Sequence, residues 1–197
     1  MIDMKHDLLR LNLEHFIGET IGDEVFDTFS LLMFKKTIQK KVYLAEINNP
    51  CKYVYFILQG ACVSYTTNEK GDKTVIQFGL EGNWISDLYS FFSGKPGIYT
   101  IESLETMEVL MLNRERFEEA CNQHLIERFF RKLIQNAYVD LKYRFAKSNS
   151  EEASVCYDVF VKENPQLVQR VPQYLIASYL GIKPQSLSRI RNTPSKK

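Results

Sequence analysis

The period of the hydrophobic pattern changes once along this chain of 197 residues, near residue 113, and that change dictates a fold in two parts. Between Lys35 and Leu112, short β-rich runs (YVYFIL, GACVSYTT, KTVIQFGL and YTIESLETMEVLML) alternate with turn clusters at Asn48-Asn49-Pro50, Glu69-Lys70-Gly71-Asp72 and Ser93-Gly94-Lys95-Pro96-Gly97. Strands this dense along a chain must close into a barrel or a two-sheet roll, since otherwise their edges and inner faces stay uncovered. Ahead of them, Ile17, Ile21, Val25, Phe29 and Leu32 recur at three- and four-residue spacing between Phe16 and Phe34, which predicts one or two short helices.

After Asn113, a residue suited to cap a helix, the pattern is helical through Lys147, with Ile126, Phe129, Phe130, Leu133, Ala137, Leu141 and Phe145 on one stripe. A helix running some 25 residues beyond Asn122 is too long to pack fully on a small roll. Its stripe can lie on its own sheet or pair with the same helix of a second copy, and pairing is the expectation, with Ile126, Phe129, Phe130, Leu133, Ala137 and Leu141 as the dimer interface. Ser148-Asn149-Ser150-Glu151 reads as a capping box that ends this helix and starts another, SEEASVCYDVFVKEN, which stops at Pro165. The chain therefore divides into residues 1–122, 123–147 and 148–197.

Several function classes lack the residues they require. No stretch approaches the roughly eighteen apolar residues of a membrane span, and the N-terminal MIDMKHDLLRLNLEHF carries acids and no cleavable apolar run, so a cytoplasmic protein with no membrane partner is expected. Cys51, Cys62, Cys121 and Cys156 lie far apart with no CxxC pair and read as small buried hydrophobes. His6, His15 and His124 fall outside the strands, so a roll-type metal enzyme has no ligand set. With no nucleophile–base pair and no Gly-rich phosphate loop, neither catalysis, a metal nor a cofactor is expected.

Charge and motif converge on the C-terminus. Net charge is +1, but residues 1–122 hold 12 Lys/Arg against 18 Asp/Glu, whereas residues 164–197 carry Arg170, Lys183, Arg189, Arg191, Lys196 and Lys197 and no acid. Within that cationic module, VPQYLIASYLGIKPQSLSRIRN (residues 171–192) reads as a helix-turn-helix. Pro172 suits a helix start, Leu175, Ile176, Tyr179 and Leu180 supply an inward stripe, and Ala177 is small where a second helix crosses. Gly181 provides the turn, Ile182 plugs the corner, and Pro184 opens a second helix whose Leu187 and Ile190 face the core. Lys183, Gln185, Ser186, Ser188, Arg189, Arg191 and Asn192 then face outward, able to meet base edges or phosphates.

These features resemble the Crp/Fnr family of bacterial regulators, in which a cyclic-nucleotide-binding-type β-roll is joined to a dimerising helix and a winged helix-turn-helix. The resemblance rests on Val54–Gly60 (VYFILQG), on Gly82–Leu88 (GNWISDL), and on Ile176-Ala177, Gly181 and Leu187-Ser188-Arg189-Ile190. It implies an α+β protein: an N-terminal antiparallel β-roll that senses an effector (1–122), a long dimerisation helix (123–147) and a C-terminal helical winged-helix-type domain (148–197) with a short or absent wing. It further implies a transcription regulator binding double-stranded DNA as a homodimer, with RNA polymerase and a small-molecule effector as further partners. The effector pocket is expected at Gly82, Trp84, Asp87, Leu88, Gly97 and Ile98. Where cyclic-nucleotide-binding members place an Arg-Ser pair for the phosphate, this chain has Gly97 and Ile98, so the effector is not expected to be cyclic AMP. The competing reading is a ligand-sensing or protein-interaction module whose helix-turn-helix no longer reads DNA.

Overall fold

The computed structural model describes residues 4–148 and 152–192. Helices α1 (Met4–Ile17) and α2 (Asp23–Leu31) precede β1 (Phe34–Ile38), β2 (Tyr43–Ala45), β3 (Tyr53–Gln59), β4 (Cys62–Thr67), β5 (Lys73–Gly79) and β6 (Trp84–Ile85). A short helix α3 (Leu88–Ser93) then leads to β7 (Thr100–Ser103) and β8 (Met107–Asn113). Two four-stranded antiparallel sheets result, ordered β1-β8-β3-β6 and β2-β7-β4-β5, which is the expected roll. The run YTIESLETMEVLML is divided at Leu104–Thr106, and its halves, β7 and β8, join different sheets.

The central strands β3 and β8 are covered on both faces. Val54, Phe56 and Leu58 of β3 and Leu110 and Leu112 of β8 pack outward against α1, α2 and the helices that follow the sheets. Tyr55, Ile57, Met107, Val109 and Met111 point between the sheets. Double coverage explains why YVYFIL is a continuous apolar run and not an alternation.

Asn113 does cap a helix: its Oδ1 accepts the Arg116 N–H at 2.9 Å at the start of α4 (Arg114–Cys121). A break at Asn122-Gln123 separates α4 from the 25-residue α5 (His124–Ser148). The stripe of α5 is divided as well. Ile126, Phe129 and Phe130 are buried in the chain's own core, Phe129 with its ring 5.6 Å from both Phe16 and Trp84. From Ile134 onward the helix leaves that core, and Tyr138, Val139, Leu141, Tyr143 and Phe145 are exposed. This corrects the dimer interface expected from the pattern: Ile126, Phe129 and Phe130 have no surface to offer a second copy, because the first turns of α5 complete the core beside α1 and β6. Leu133 is half-buried against the same core, whereas Ala137 and Leu141 are exposed.

Four helices follow, α6 (Ala153–Glu163), α7 (Pro165–Arg170), α8 (Gln173–Tyr179) and α9 (Pro184–Asn192). Tyr157, Phe160, Leu167, Val171, Leu175, Ile176 and Leu187 from these helices share one apolar cluster with Val63, Tyr65, Val75 and Phe78 of the second sheet. Among the described residues no strand, and so no wing, follows Asn113. The capping box expected at residues 148–151 falls largely outside the described residues, and Lys196 and Lys197 lie wholly outside them.

Candidate functional site

The α8–α9 unit is built by small local rules. Pro172 is the N-cap of α8 with an extended backbone, and Leu175, Ile176 and Ala177 bury its inner face. Leu180 closes the helix, and Gly181 takes φ +70°, a left-handed turn that a side chain would disfavour. The Ile182 N–H then donates to the Ala177 carbonyl at 3.0 Å, which fixes where the chain enters α9. Pro184 occupies the first position of α9, Leu187 is 1% exposed, and Ile190 is half-buried. Lys183, Gln185, Ser186, Ser188, Arg189, Arg191 and Asn192 are all exposed, so the seven residues expected to face outward do so together. An exposed helix with cations, hydroxyls and amides and no acid can place hydrogen bonds on base edges and phosphates at once.

The unit is tied to the roll by two polar contacts. The Ser178 hydroxyl of α8 donates to the Lys73 carbonyl (2.7 Å) and accepts the Val75 N–H (3.0 Å), covering the free edge of β5. Arg170, one of the six C-terminal cations, turns inward: it donates to both oxygens of Glu81 (2.8 and 2.9 Å) and pairs with Glu105. Sequence reasoning missed this latch because its partners lie 65 and 89 residues away, with no local signal.

The residues expected to form the effector pocket fall into two groups. Asp87 is fully buried, and its carboxylate accepts the N–H groups of Ser90 (3.0 Å), Ile98 (2.6 Å) and Tyr99 (2.9 Å). It thereby caps α3 and ties the 94–99 loop back onto it. Gly97 is buried where a Cβ would sit 2.9 Å from the Asn49 carbonyl oxygen and 3.1 Å from Asp87, so this position has no room for a ligand-binding side chain. Between the sheets, Ile38, Tyr55, Ile57, Cys62, Ile101 and Met107 form a closed apolar cluster. Tyr55 crosses it to donate its hydroxyl to the Leu44 carbonyl at 2.6 Å, and burial raises both that phenol and the Cys62 thiol, the latter to about 12. Trp84 and Phe91 are not part of this filling; they pack on the outer side of the first sheet.

Gly82, Trp84 and Leu88 line a different space, a cavity of about 340 Å³ between the outer face of the roll and α5, together with Asn12, Leu133 and Ala137. The Trp84 indole N–H donates to Asn12 Oδ1 at 2.9 Å, and its ring packs on Phe56 and Phe130. Three residues expected at the dimer interface, Phe130, Leu133 and Ala137, and three expected in the effector pocket, Gly82, Trp84 and Leu88, thus line one cavity.

Comparison with known proteins agrees with this geometry. Residues 35–124 match the family model of the cyclic nucleotide-binding domain. No curated protein sequence matches the chain. Among solved structures, FixK2 from Bradyrhizobium japonicum is similar at 18% identity with a TM-score of 0.71, over 81% of this chain and 82% of that one. The Catabolite Activator Protein of Thermus thermophilus is similar at 14% identity and a TM-score of 0.57, over 91% and 84% of the two chains. A putative transcriptional regulator of the Crp/Fnr family from Eubacterium rectale is similar at 11% identity and a TM-score of 0.66, over 86% and 82%. Together with the helix-turn-helix, these likenesses give the chain a cyclic nucleotide-binding-type domain within the fold of the Crp/Fnr regulators.

Proposed function

We propose that the chain is a sequence-specific DNA-binding transcription regulator that acts as a homodimer on chromosomal DNA in the cytoplasm. The observation that carries this reading is α9: six exposed polar or basic residues, with Lys183 just ahead of them and no acid among them, on a helix whose apolar side is anchored by Leu187 and whose approach is set by Gly181. In a major groove, Gln185, Ser186, Ser188 and Arg189 would reach base edges, while Lys183, Arg191 and Asn192 would meet phosphates. Arginine opposite guanine gives a bidentate contact, so Arg189 is the strongest candidate for direct reading.

Dimerisation belongs to the half of α5 that leaves the roll. Ile134, Tyr138, Leu141 and Phe145 recur at coiled-coil spacing and are all exposed, with Ala137 and the edge of Leu133 beside them. Two copies paired there would present two α9 helices to a roughly palindromic site. The apolar cluster between the sheets and the crowded backbone at Gly97 favour an effector other than cyclic AMP, a small molecule entering from outside the roll, with RNA polymerase as a protein partner. Selecting fragments bound from the source genome, followed by gel shift on the enriched sequence, tests the reading: a shared inverted repeat is expected, and equal retention of all fragments would overturn it. Sedimentation at micromolar concentration tests the seam, with the wild type dimeric and Leu141→Glu monomeric yet folded.

A further inference from the structure

A second cavity, of about 400 Å³, opens where β5, α5, α6 and the helix-turn-helix meet. Ile76, Leu141, Val159, Phe160 and Leu180 give it apolar walls drawn from all four elements. A volume of this size, mostly apolar with a few polar groups, suits a small organic molecule. A half-buried cation lies in it. The Arg144 guanidinium donates to the Ile76 carbonyl at 3.1 Å and sits 5.0 Å over the ring of Tyr179, and among the described residues these contacts leave most of its five-donor fork uncommitted. Glu163 also lines the cavity, but it is an exposed residue at the end of α6, where water screens its charge, and it forms no ion pair with Arg144 among the described residues.

We propose that this cavity is a binding site for a small amphipathic monoanion, an alkyl or aryl carboxylate whose apolar body lies between α5 and α6 and whose carboxylate pairs with Arg144. The walls come from both parts of the chain, so an occupant bridges them beside the Ser178 contact to β5 and holds the helix-turn-helix against the roll. The proposal concerns binding at this junction and stands independently of whether α9 reads DNA.

The test uses the full chain and three probes below their micelle-forming concentrations: decanoate, decanol and decyltrimethylammonium. Calorimetry should show decanoate binding at one site per chain, and thermal unfolding should shift upward with decanoate concentration. Arg144→Gln should weaken decanoate about tenfold, the loss of a charge-assisted pair, and leave decanol unchanged. Thr74→Trp, a bulky replacement of an exposed residue on the cavity wall, should weaken decanoate and decanol alike. Ammonium binding as tight as carboxylate, or no loss in Thr74→Trp, would overturn the site. So would decanoate binding that fades as chain concentration rises, because a second copy would then fill the space. Cys156 lines the same cavity and locates the probe in the unaltered protein. Mass mapping of its alkylation by iodoacetamide should show slower modification with decanoate present, and an unchanged rate counts against the proposal.

Discussion

The loop after β6 and the helix after Gly181 are both rich in polar groups, yet they present those groups in opposite directions. In the first, the Asp87 carboxylate is consumed by three backbone N–H groups of its own chain, and the Ser90 hydroxyl accepts from Cys51 N–H and donates to the Lys95 carbonyl. In the second, every polar side chain of α9 is exposed to solvent. A buried carboxylate must find donors, and here the surrounding backbone supplies them. An exposed helix is under no such pressure, since water can satisfy its polar groups. The two regions therefore differ in where their polar groups can find partners, not in whether those groups are present.

The largest effect expected from this contrast is at Asp87. Its removal in Asp87→Ala strands three backbone donors, one buried and two partly buried, and at about 1 to 3 kcal/mol for each unmet group the chain should lose about 3 to 5 kcal/mol in denaturant unfolding. Were Asp87 a ligand group held ready for a ribose hydroxyl, the same change would cost little in the empty protein. Calorimetry with cyclic AMP probes the same point: no binding is expected at micromolar concentration, and binding would mean that a cation such as Lys95 or Arg144 supplies the partner that Gly97 and Ile98 lack.

Arg189→Ala should do the reverse, costing far less stability than Asp87→Ala while weakening the specific site by about 1 to 3 kcal/mol and relaxing one base preference in each half-site. Measured on operator and scrambled duplexes across a salt series, equal loss on both would mean that Arg189 holds only the backbone and that Gln185, Ser186 or Ser188 reads sequence. Removing Lys196 and Lys197 gives the reference behaviour for clinging: specific and non-specific affinity fall together, and the salt slope flattens by about one unit for each phosphate no longer neutralised.

Periodicity made the roll, the N-terminal helices, the long α5 and both helices of the α8–α9 unit readable in the sequence, because each is dictated by local pattern and by single residues such as Asn113, Gly181 and Pro184. What periodicity does not carry is the identity of the covering surface. Phe129 and Leu141 belong to one stripe, but the first is covered by Phe16 and Trp84 from the chain's own α1 and β6, while the second is left exposed by the described residues. Asp87 was readable as an acid in a pocket segment, while its donors, 11 and 12 residues downstream, depend on how the 94–99 loop folds back. The Arg170 latch is further still from any local rule.

That latch gives the smallest and sharpest test, because it places one of the six C-terminal cations on the inward side of the contrast. Burial alone would raise the Glu81 carboxyl, but the hydrogen bonds from Arg170, with the Gly60 N–H at 2.7 Å, outweigh it and hold the carboxyl below the ordinary range. A depressed folded-state value means that the contribution to stability is complete above the unfolded value of about 4.3 and is lost as pH falls through the folded one. Both side chains remain partly solvated, so the contribution is about 1 kcal/mol. Glu81→Gln should accordingly be less stable than wild type at neutral pH by that amount, and the difference should close below pH about 4. A constant gap across the acid limb would show that the residue acts through packing and not through charge. On the DNA side, Arg170→Gln should leave the salt slope of binding unchanged, because a guanidinium already committed to Glu81 and Glu105 has no phosphate to release ions from. A slope reduced by one unit would move Arg170 to the outward face and erase the distinction between the two regions at that residue.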